Sequence, residues 1–232
     1  MSRFGLGFLP HGFGNDQYTK ILLHMDGTNG GTSFPDSNGG GSAHTWTATG
    51  ATTVTSGQKF GTAACQCPYI DTPAHADFNF GSGDWTIDFW FDTLALGNGT
   101  SRNICGQVSA AFAFATMSFY IQLTSANKLF ASASTGTTGP TVTGTTAITT
   151  SGLHHCQFSR TGNNLQLYLD GVQEGGNTAF SSTVPSSTKN FAVGRSGEYT
   201  LEKFAGLVDE FRLSVGIARN TSNFTPPLSA YG

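Results

Sequence analysis

The chain has 232 residues with a formal net charge of −3, and charged residues make up 11% of it, under half of the roughly 25% usual in soluble domains. Its Lys and Arg are scattered, so there is no basic stripe for nucleic acid, and no apolar run reaches the roughly 18 residues that cross a bilayer. Neither nucleic acid nor a membrane is therefore expected as a partner, and the length suits a single β-domain.

Residues 1–19 form a Gly- and Phe-rich arm without a strand pattern, ahead of a predicted domain over residues 20–232. Glycines and a proline interrupt the apolar residues of the arm, so we expect no signal peptide. An arm of this composition would expose apolar side chains to water if left free. We therefore expect it either to pack across its own domain or to dock on a partner chain. In the second case the anchoring side chains are Phe4, Phe8 and Phe13.

Period-two alternation recurs along the chain, and its clearest case predicts a strand over residues 85–92. Alternate residues of that strand share the face that we expect to point into the core: Trp85, Ile87, Phe89 and Phe91. Strands are also predicted over residues 117–123 and 128–134. The Ser-, Thr- and Gly-rich segment 132–152 predicts a loop and an edge strand.

A hairpin is predicted near residues 153–175, because Asp170-Gly171 lies between two alternating segments and suits a type I′ turn. A late strand follows over residues 206–214. Many short strands joined by Gly-rich turns favour a sandwich or a barrel.

The four cysteines, Cys65, Cys67, Cys105 and Cys156, allow three interpretations. Buried free thiols are the default without a signal peptide. Disulfides are the second interpretation, with pairings that the sequence does not choose. The third is zinc, held by the single C-x-C pair together with the His154-His155-Cys156 run.

Several stretches, in order, resemble the laminin-G-like (concanavalin A-like) jelly-roll family, in the form common in bacteriophage structural proteins. They are residues 22–27, 36–40, 59–61, 77–90, 154–171, 191–195, 204–212 and 217–227. The chain departs from the family pattern at residues 65–70 and in the arm. The resemblance implies an all-β, two-sheet antiparallel jelly-roll sandwich with an extended N-terminal arm.

No enzyme activity is expected. Glycoside hydrolysis needs two carboxylates roughly 5–9 Å apart across the scissile bond. Asp88 and Asp92 lie four residues apart, roughly 13 Å in a strand, and Asp209 and Glu210 point to opposite faces. There is also no Gly-x-Ser-x-Gly elbow to make a nucleophile of a serine, and one of His154 and His155 is expected to pack while the other lies at the surface.

Glycan binding is the more plausible chemistry, because sugars stack on exposed aromatic rings beside polar side chains. The outward faces of the predicted strands would present such a platform: Trp90, Asp88, Tyr168, Gln166 and Arg212. The alternative is that a crossing loop shields Trp90, which then packs structurally.

Calcium frequently accompanies the family, and the resemblance makes Asp26 and Asp209 neighbours in a closed sandwich. A structural Ca²⁺ held by this pair is one expectation, since hard cations prefer carboxylate and carbonyl oxygens. Surface acids with a hairpin salt bridge are the other. No further cofactor is expected.

Two functions follow from the resemblance. The first is a non-enzymatic virion protein, a phage capsid decoration or tail accessory subunit located in the virion, whose partners are capsid or tail proteins and further copies of this chain. The second is a carbohydrate-binding adhesin module that recognises cell-surface glycans.

Overall fold

The computed structural model describes residues 14–94 and 99–232. Two 3₁₀ turns, Ala76–Phe78 and Phe114–Thr116, lie between strands. The strands are β1 (Thr19–Leu23), β2 (Thr47–Thr49), β3 (Thr52–Val54), β4 (Ala64–Gln66), β5 (Tyr69–Thr72), β6 (Trp85–Asp92), β7 (Arg102–Gly106), β8 (Phe119–Leu123), β9 (Lys128–Ala133), β10 (Thr141–Ala147), β11 (His154–Thr161), β12 (Asn164–Leu169), β13 (Val172–Ala179), β14 (Phe191–Val193) and β15 (Leu207–Val215). No described helix is long and apolar enough to cross a membrane.

These strands form two antiparallel sheets that pack face to face. The first sheet has the order β13-β12-β11-β6-β15-β4-β3, with β1 also paired to β15. The second sheet has the order β10-β9-β8-β7-β14-β5-β2. The predicted all-β two-sheet sandwich is confirmed, and β10 is the edge strand expected within residues 132–152.

The core lies between the sheets, and β6 shows how the sequence specifies it. The alternate side chains Trp85, Ile87, Phe89 and Phe91 all belong to one buried cluster. Partners from the second sheet, Phe119 and Phe191, enter the same cluster. The strand spans the predicted residues 85–92, because only one register of the alternating large apolar side chains places all four of them between the sheets.

The predicted hairpin is formed by β12 and β13. Asp170 and Gly171 adopt φ of 51° and 78°, as a type I′ turn requires. A Cβ on Gly171 would lie 1.9 Å from the carbonyl oxygen of Phe224, so the turn also needs glycine for a close approach of the C-terminal segment.

Residues 14–18 and the C-terminal segment cover the outer face of the first sheet. The Asn15 amide donates to the Gly232 carbonyl (2.7 Å), and Arg219 donates to Asp16 (2.8 Å). The described part of the predicted arm, residues 14–18, therefore packs on its own sandwich. The proposed anchor residues Phe4, Phe8 and Phe13 lie outside the described residues.

Candidate functional site

The predicted glycan platform lies on one sheet but is closed to solvent. Asp88 and Trp90 lie on β6, Gln166 and Tyr168 on β12, and Arg212 on β15, all in the first sheet. All of these side chains are buried. The prediction that they share a face is right and the prediction that they are exposed is wrong, because the chain ends and one loop lie across them.

Asp88 and Arg212 form the centre of this closed face. The guanidinium donates to both carboxylate oxygens, at 3.0 and 2.6 Å, and neither side chain has any exposed area. Tyr231 from the C-terminal segment donates its hydroxyl to Asp88 (3.0 Å), and its ring lies under the guanidinium at 4.0 Å. The pair is thus sealed by the tail.

Trp90 and Tyr168 are covered in the same way. The Lys59 ammonium lies 4.1 Å from the Trp90 ring centroid, and the Phe60 ring packs edge-on at 6.2 Å. This is the shielding loop that the sequence left as an alternative. Phe224 packs on Tyr168 at 5.5 Å between ring centroids.

Gln166 is likewise held within the fold. It accepts a hydrogen bond from the Thr161 hydroxyl (2.7 Å) and donates to Asn177 (3.1 Å). Its side-chain amide is therefore committed to neighbouring residues rather than presented to a sugar.

Asp26 and Asp209 hold the same loop. Oδ1 of Asp26 accepts from the Ala63 amide (3.3 Å), and Oδ2 of Asp209 accepts from the Lys59 amide (2.6 Å). Burial raises the pKa of Asp209 to about 7. Both acids contact the loop at residues 59–63, and amide donors occupy these oxygens. Calcium at this pair stays a prediction.

The four cysteines are free and buried, as in the first interpretation. The sulfurs of Cys65 and Cys67 lie 3.8 Å apart, well beyond the roughly 2.05 Å of a disulfide. Burial raises the pKa of Cys105 and Cys156 well above the ordinary value. The adjacent histidines have partners of their own: His154 contacts Asp170 (2.7 Å), and the buried His155 contacts Tyr231 (3.0 Å).

The outer face of the second sheet carries an accessible group of aromatic rings, which we call the aromatic face: Phe112, Tyr120, Phe130 and Tyr199. Each of them is partly exposed. Phe112 lies edge-on to Tyr120 at 4.9 Å and to Tyr199 at 5.1 Å, and Tyr120 lies 5.7 Å from Phe130 at an angle of 31°. The rings therefore form one continuous patch.

Strand register sets polar groups beside these rings. Gln122 on β8 lies opposite Phe130 on β9, which lies opposite Thr143 on β10. With neighbouring strands roughly 4.8 Å apart, this row spans roughly 10 Å. Neither the Gln122 amide nor the Thr143 hydroxyl has a hydrogen-bond partner among the described residues. The row thus combines an aromatic ring with a donor and acceptor on each side.

Phe112 of the aromatic face and Glu202, which lies near Tyr120, both have a strained backbone conformation. Phe112 has φ of 57° and Glu202 has φ of 54°, a region that bulky and charged residues rarely adopt. Such strain collects at functional sites, where the surrounding structure holds it. Burial, together with the nearby Glu202 carboxylate, raises the pKa of Tyr120 to about 12, so its hydroxyl stays protonated and can donate.

The sequence contained a signal for this face. The β8 strand was predicted, and its inward residues Phe119, Ile121 and Leu123 leave Tyr120 and Gln122 on the outside. The strand pattern could not predict the contribution of Phe112 and Tyr199, because both lie in loops that have no periodicity.

One group of side chains in the described residues is arranged as metal ligands: His44, His75 and Asp77. It lies apart from the predicted calcium pair, and no motif in the sequence indicated it.

The two packed antiparallel sheets form a jelly-roll sandwich. The chain belongs to the Laminin_G_3 family of the concanavalin A-like lectin/glucanases superfamily, whose model matches residues 67–217. The resemblance stated from the sequence is confirmed at the level of family and fold. No curated protein matches the chain.

Solved structures show the same fold at low sequence identity. Domain 4 of the extracellular arabinanase AbnA from Geobacillus stearothermophilus, solved in complex with arabinotriose, is 18% identical with a TM-score of 0.58, covering 87% of this chain and 96% of that one. The binding domain of Paraclostridial Mosquitocidal Protein 1 is 11% identical, with a TM-score of 0.60 and 87% of this chain covered. The receptor-binding domain of botulinum neurotoxin C/D mosaic serotype is 7% identical, with a TM-score of 0.62 and the same 87% covered. The chain spans about half the length of these two toxin domains, 50% and 49%.

Proposed function

We propose that this chain is a non-catalytic carbohydrate-binding domain and that the aromatic face is its binding surface. The observation that carries the proposal is the row Gln122–Phe130–Thr143, in which a partly exposed ring lies between polar groups without partners in the described residues. A sugar ring stacked on Phe130 would find hydrogen-bonding partners for its hydroxyls on both sides.

Similar structures support this proposal. The arabinanase domain has the same fold, is almost wholly covered by this chain, and was solved with an oligosaccharide bound. A sandwich of this size is therefore sufficient for sugar binding without further domains.

The absence of catalysis is part of the proposal. Hydrolysis needs two carboxylates facing the scissile bond. Asp88 and Glu210 of the first sheet are fully buried, with Asp88 bound to Arg212 and Glu210 to His24 (3.0 Å). Neither can reach a substrate.

A glycan array tests the proposal, using the full chain and two single variants. We expect binding to a discrete set of glycans, loss of binding in Phe130→Ala, and retention in Phe60→Ala. Phe60 is a matched control, because it is also a partly buried phenylalanine but contacts the first sheet. An array without bound glycans, or equal loss in both variants, would overturn the proposal.

A second candidate is compatible with the first: a virion accessory subunit that displays this binding face. Arg212 donates to the Gly14 carbonyl (3.2 Å), so Gly14, the first described residue, lies on the first sheet, on the side opposite the aromatic face. In this candidate role Phe4, Phe8 and Phe13 attach the subunit to the particle, and the aromatic face stays available for glycans. Mass spectrometry of purified particles should find a fixed ratio of the chain to the capsid or tail protein. Its absence from particles would refute the virion role and leave glycan binding untouched.

A further inference from the structure

His44, His75 and Asp77 lie together beside the 3₁₀ turn that follows β5. One potential ligand atom from each residue lies within 4.8 Å of those of the other two. His44 comes from the segment between β1 and β2, whereas Asp77 belongs to the turn itself and His75 directly precedes it. The cluster thus joins two segments that are distant in sequence.

His44 is oriented by a buried carboxylate. Its Nδ1 lies 2.7 Å from Oδ2 of Asp36. Asp36 is itself fixed, since its Oδ1 accepts from the amides of Leu22 (3.0 Å) and Asn38 (3.1 Å). A carboxylate that accepts from Nδ1–H leaves the lone pair on Nε2, which is how outer carboxylates prepare histidines for metal ions.

The Nε2 atom of His44 is buried and makes no hydrogen bond to any described residue. The side chain is 5% exposed. What distinguishes this atom is that the ring is oriented by Asp36, so that the Nε2 lone pair is available to a metal ion. Nε2 faces Oδ2 of Asp77 at 3.4 Å.

The distances fit a tetrahedral zinc site. Oδ2 of Asp77 lies 3.4 Å from Nε2 of His44 and 3.3 Å from Nδ1 of His75. In a tetrahedron with metal–ligand bonds of about 2.0–2.1 Å, neighbouring ligand atoms are about 3.3–3.4 Å apart. Two ligand pairs thus already have this spacing. Nδ1 of His75 accepts from the Asp77 amide (3.2 Å), so metal binding requires this 42% exposed ring to exchange that hydrogen bond for the ion, a movement that also adjusts the third distance.

We propose that His44, His75 and Asp77 bind a divalent transition-metal ion, Zn²⁺ being the best match. Imidazole donors select zinc over calcium and magnesium, which take oxygen ligands. Three protein ligands leave one coordination position for water or an incoming group. Two depressions, of about 320 and 270 Å³, both have His75 in their lining, and the smaller one is also lined by His44. The site does not depend on glycan binding at the aromatic face.

Calorimetry with zinc chloride alone tests this site, on the full chain after chelator treatment and without a histidine tag. We expect one ion per chain, at least tenfold weaker binding in His75→Ala and in Asp77→Asn, and a visible cobalt spectrum of tetrahedral type. His154→Ala is the matched control, since His154 also lies 2.7 Å from an aspartate but outside the cluster, and it should bind as the wild type does.

His75 and Asp77 are suitable positions because they are less buried than His44, and a cooperative unfolding curve for each variant checks the fold. Unchanged affinity in both variants, or no zinc binding by the wild type, would overturn the proposal. If His75→Ala and Asp77→Asn keep zinc binding whereas Cys65→Ser loses it, the thiols bind the ion and the proposal is overturned as well.

Discussion

Arg212 and Asp88 form a two-point ion pair in the middle of the first sheet, with both side chains wholly excluded from solvent. Tyr231 closes this pair from the outside. Because the central charges of this face are paired with each other and covered, the face has a structural role. The accessible surface that we propose for binding therefore lies on the second sheet.

Breaking this pair should be costly. Asp88→Ala leaves the guanidinium buried without its carboxylate, so we expect the free energy of unfolding to fall by about 3–5 kcal/mol in urea titrations. Glu198→Ala is the control, since it removes a partly exposed ion pair with Lys189 (3.4 Å) and should cost under about 1 kcal/mol. Similar small losses in both variants would show that Asp88 is not buried as described.

A substitution at Gly171 tests whether the C-terminal segment crosses the turn between β12 and β13. Alanine there places a Cβ 1.9 Å from the Phe224 carbonyl at φ of 78°, and we expect a loss of at least about 3 kcal/mol. At Gly176, φ is 73° with nothing within 4 Å, so Gly176→Ala carries only the backbone strain, about 1–2 kcal/mol. Thermal unfolding of both variants separates the two effects. Equal melting temperatures would mean that the tail does not cross at this turn.

His155 should make stability depend on pH. Burial lowers its pKa to about 4 from 6.5, so the unfolded chain binds more protons between these values. The free energy of unfolding contributed by this group therefore falls as pH decreases from about 6.5 to about 4. His155→Gln should remove that slope in urea titrations at several pH values.

His154 gives the opposite sign and serves as the control. Its hydrogen bond to Asp170 raises its pKa, so its contribution is present below pH 6.5 and is lost as pH rises through the folded pKa. His154→Gln should thus weaken the fold selectively at low pH. The same pH slope in both variants would contradict the burial of His155.

Strain at Glu202 offers a test of the aromatic face. Because φ is 54°, Glu202→Gly should relieve strain and raise the free energy of unfolding by roughly 0.5–1 kcal/mol, while weakening glycan binding. Glu198 is not among the described residues with positive φ, so Glu198→Gly should destabilise instead. A stabilised Glu202→Gly variant with full affinity would remove Glu202 from the binding surface.

Local patterns predicted much of the sandwich. The alternation in residues 85–92 and the Asp170-Gly171 turn each depend on neighbours in sequence, and both appear as predicted. Outward orientation was also read correctly for Trp90 and Tyr168. Their exposure was predicted wrongly, because it depends on segments that have no strand period. The loop at residues 59–60 covers Trp90, and Phe224 of the C-terminal segment covers Tyr168.

The metal cluster and the aromatic face escaped prediction for a related reason. His44 and His75 are far apart in sequence, and only the approach of two loops brings their rings to 4.9 Å. Phe112 and Tyr199 likewise meet at 5.1 Å from separate loops. The spacing of residues predicts which side chains share one face of a strand. These two sites instead depend on how the loops between strands approach each other, which spacing does not predict.

A chemical-shift map of the isotope-labelled chain, titrated with the strongest ligand from the glycan array, locates the binding surface directly. We expect the largest amide shifts at Phe112, Tyr120, Gln122 and Phe130, with the first sheet unaffected. Shifts centred on the first sheet, or around His75 instead, would contradict the assignment of the aromatic face as the carbohydrate-binding surface.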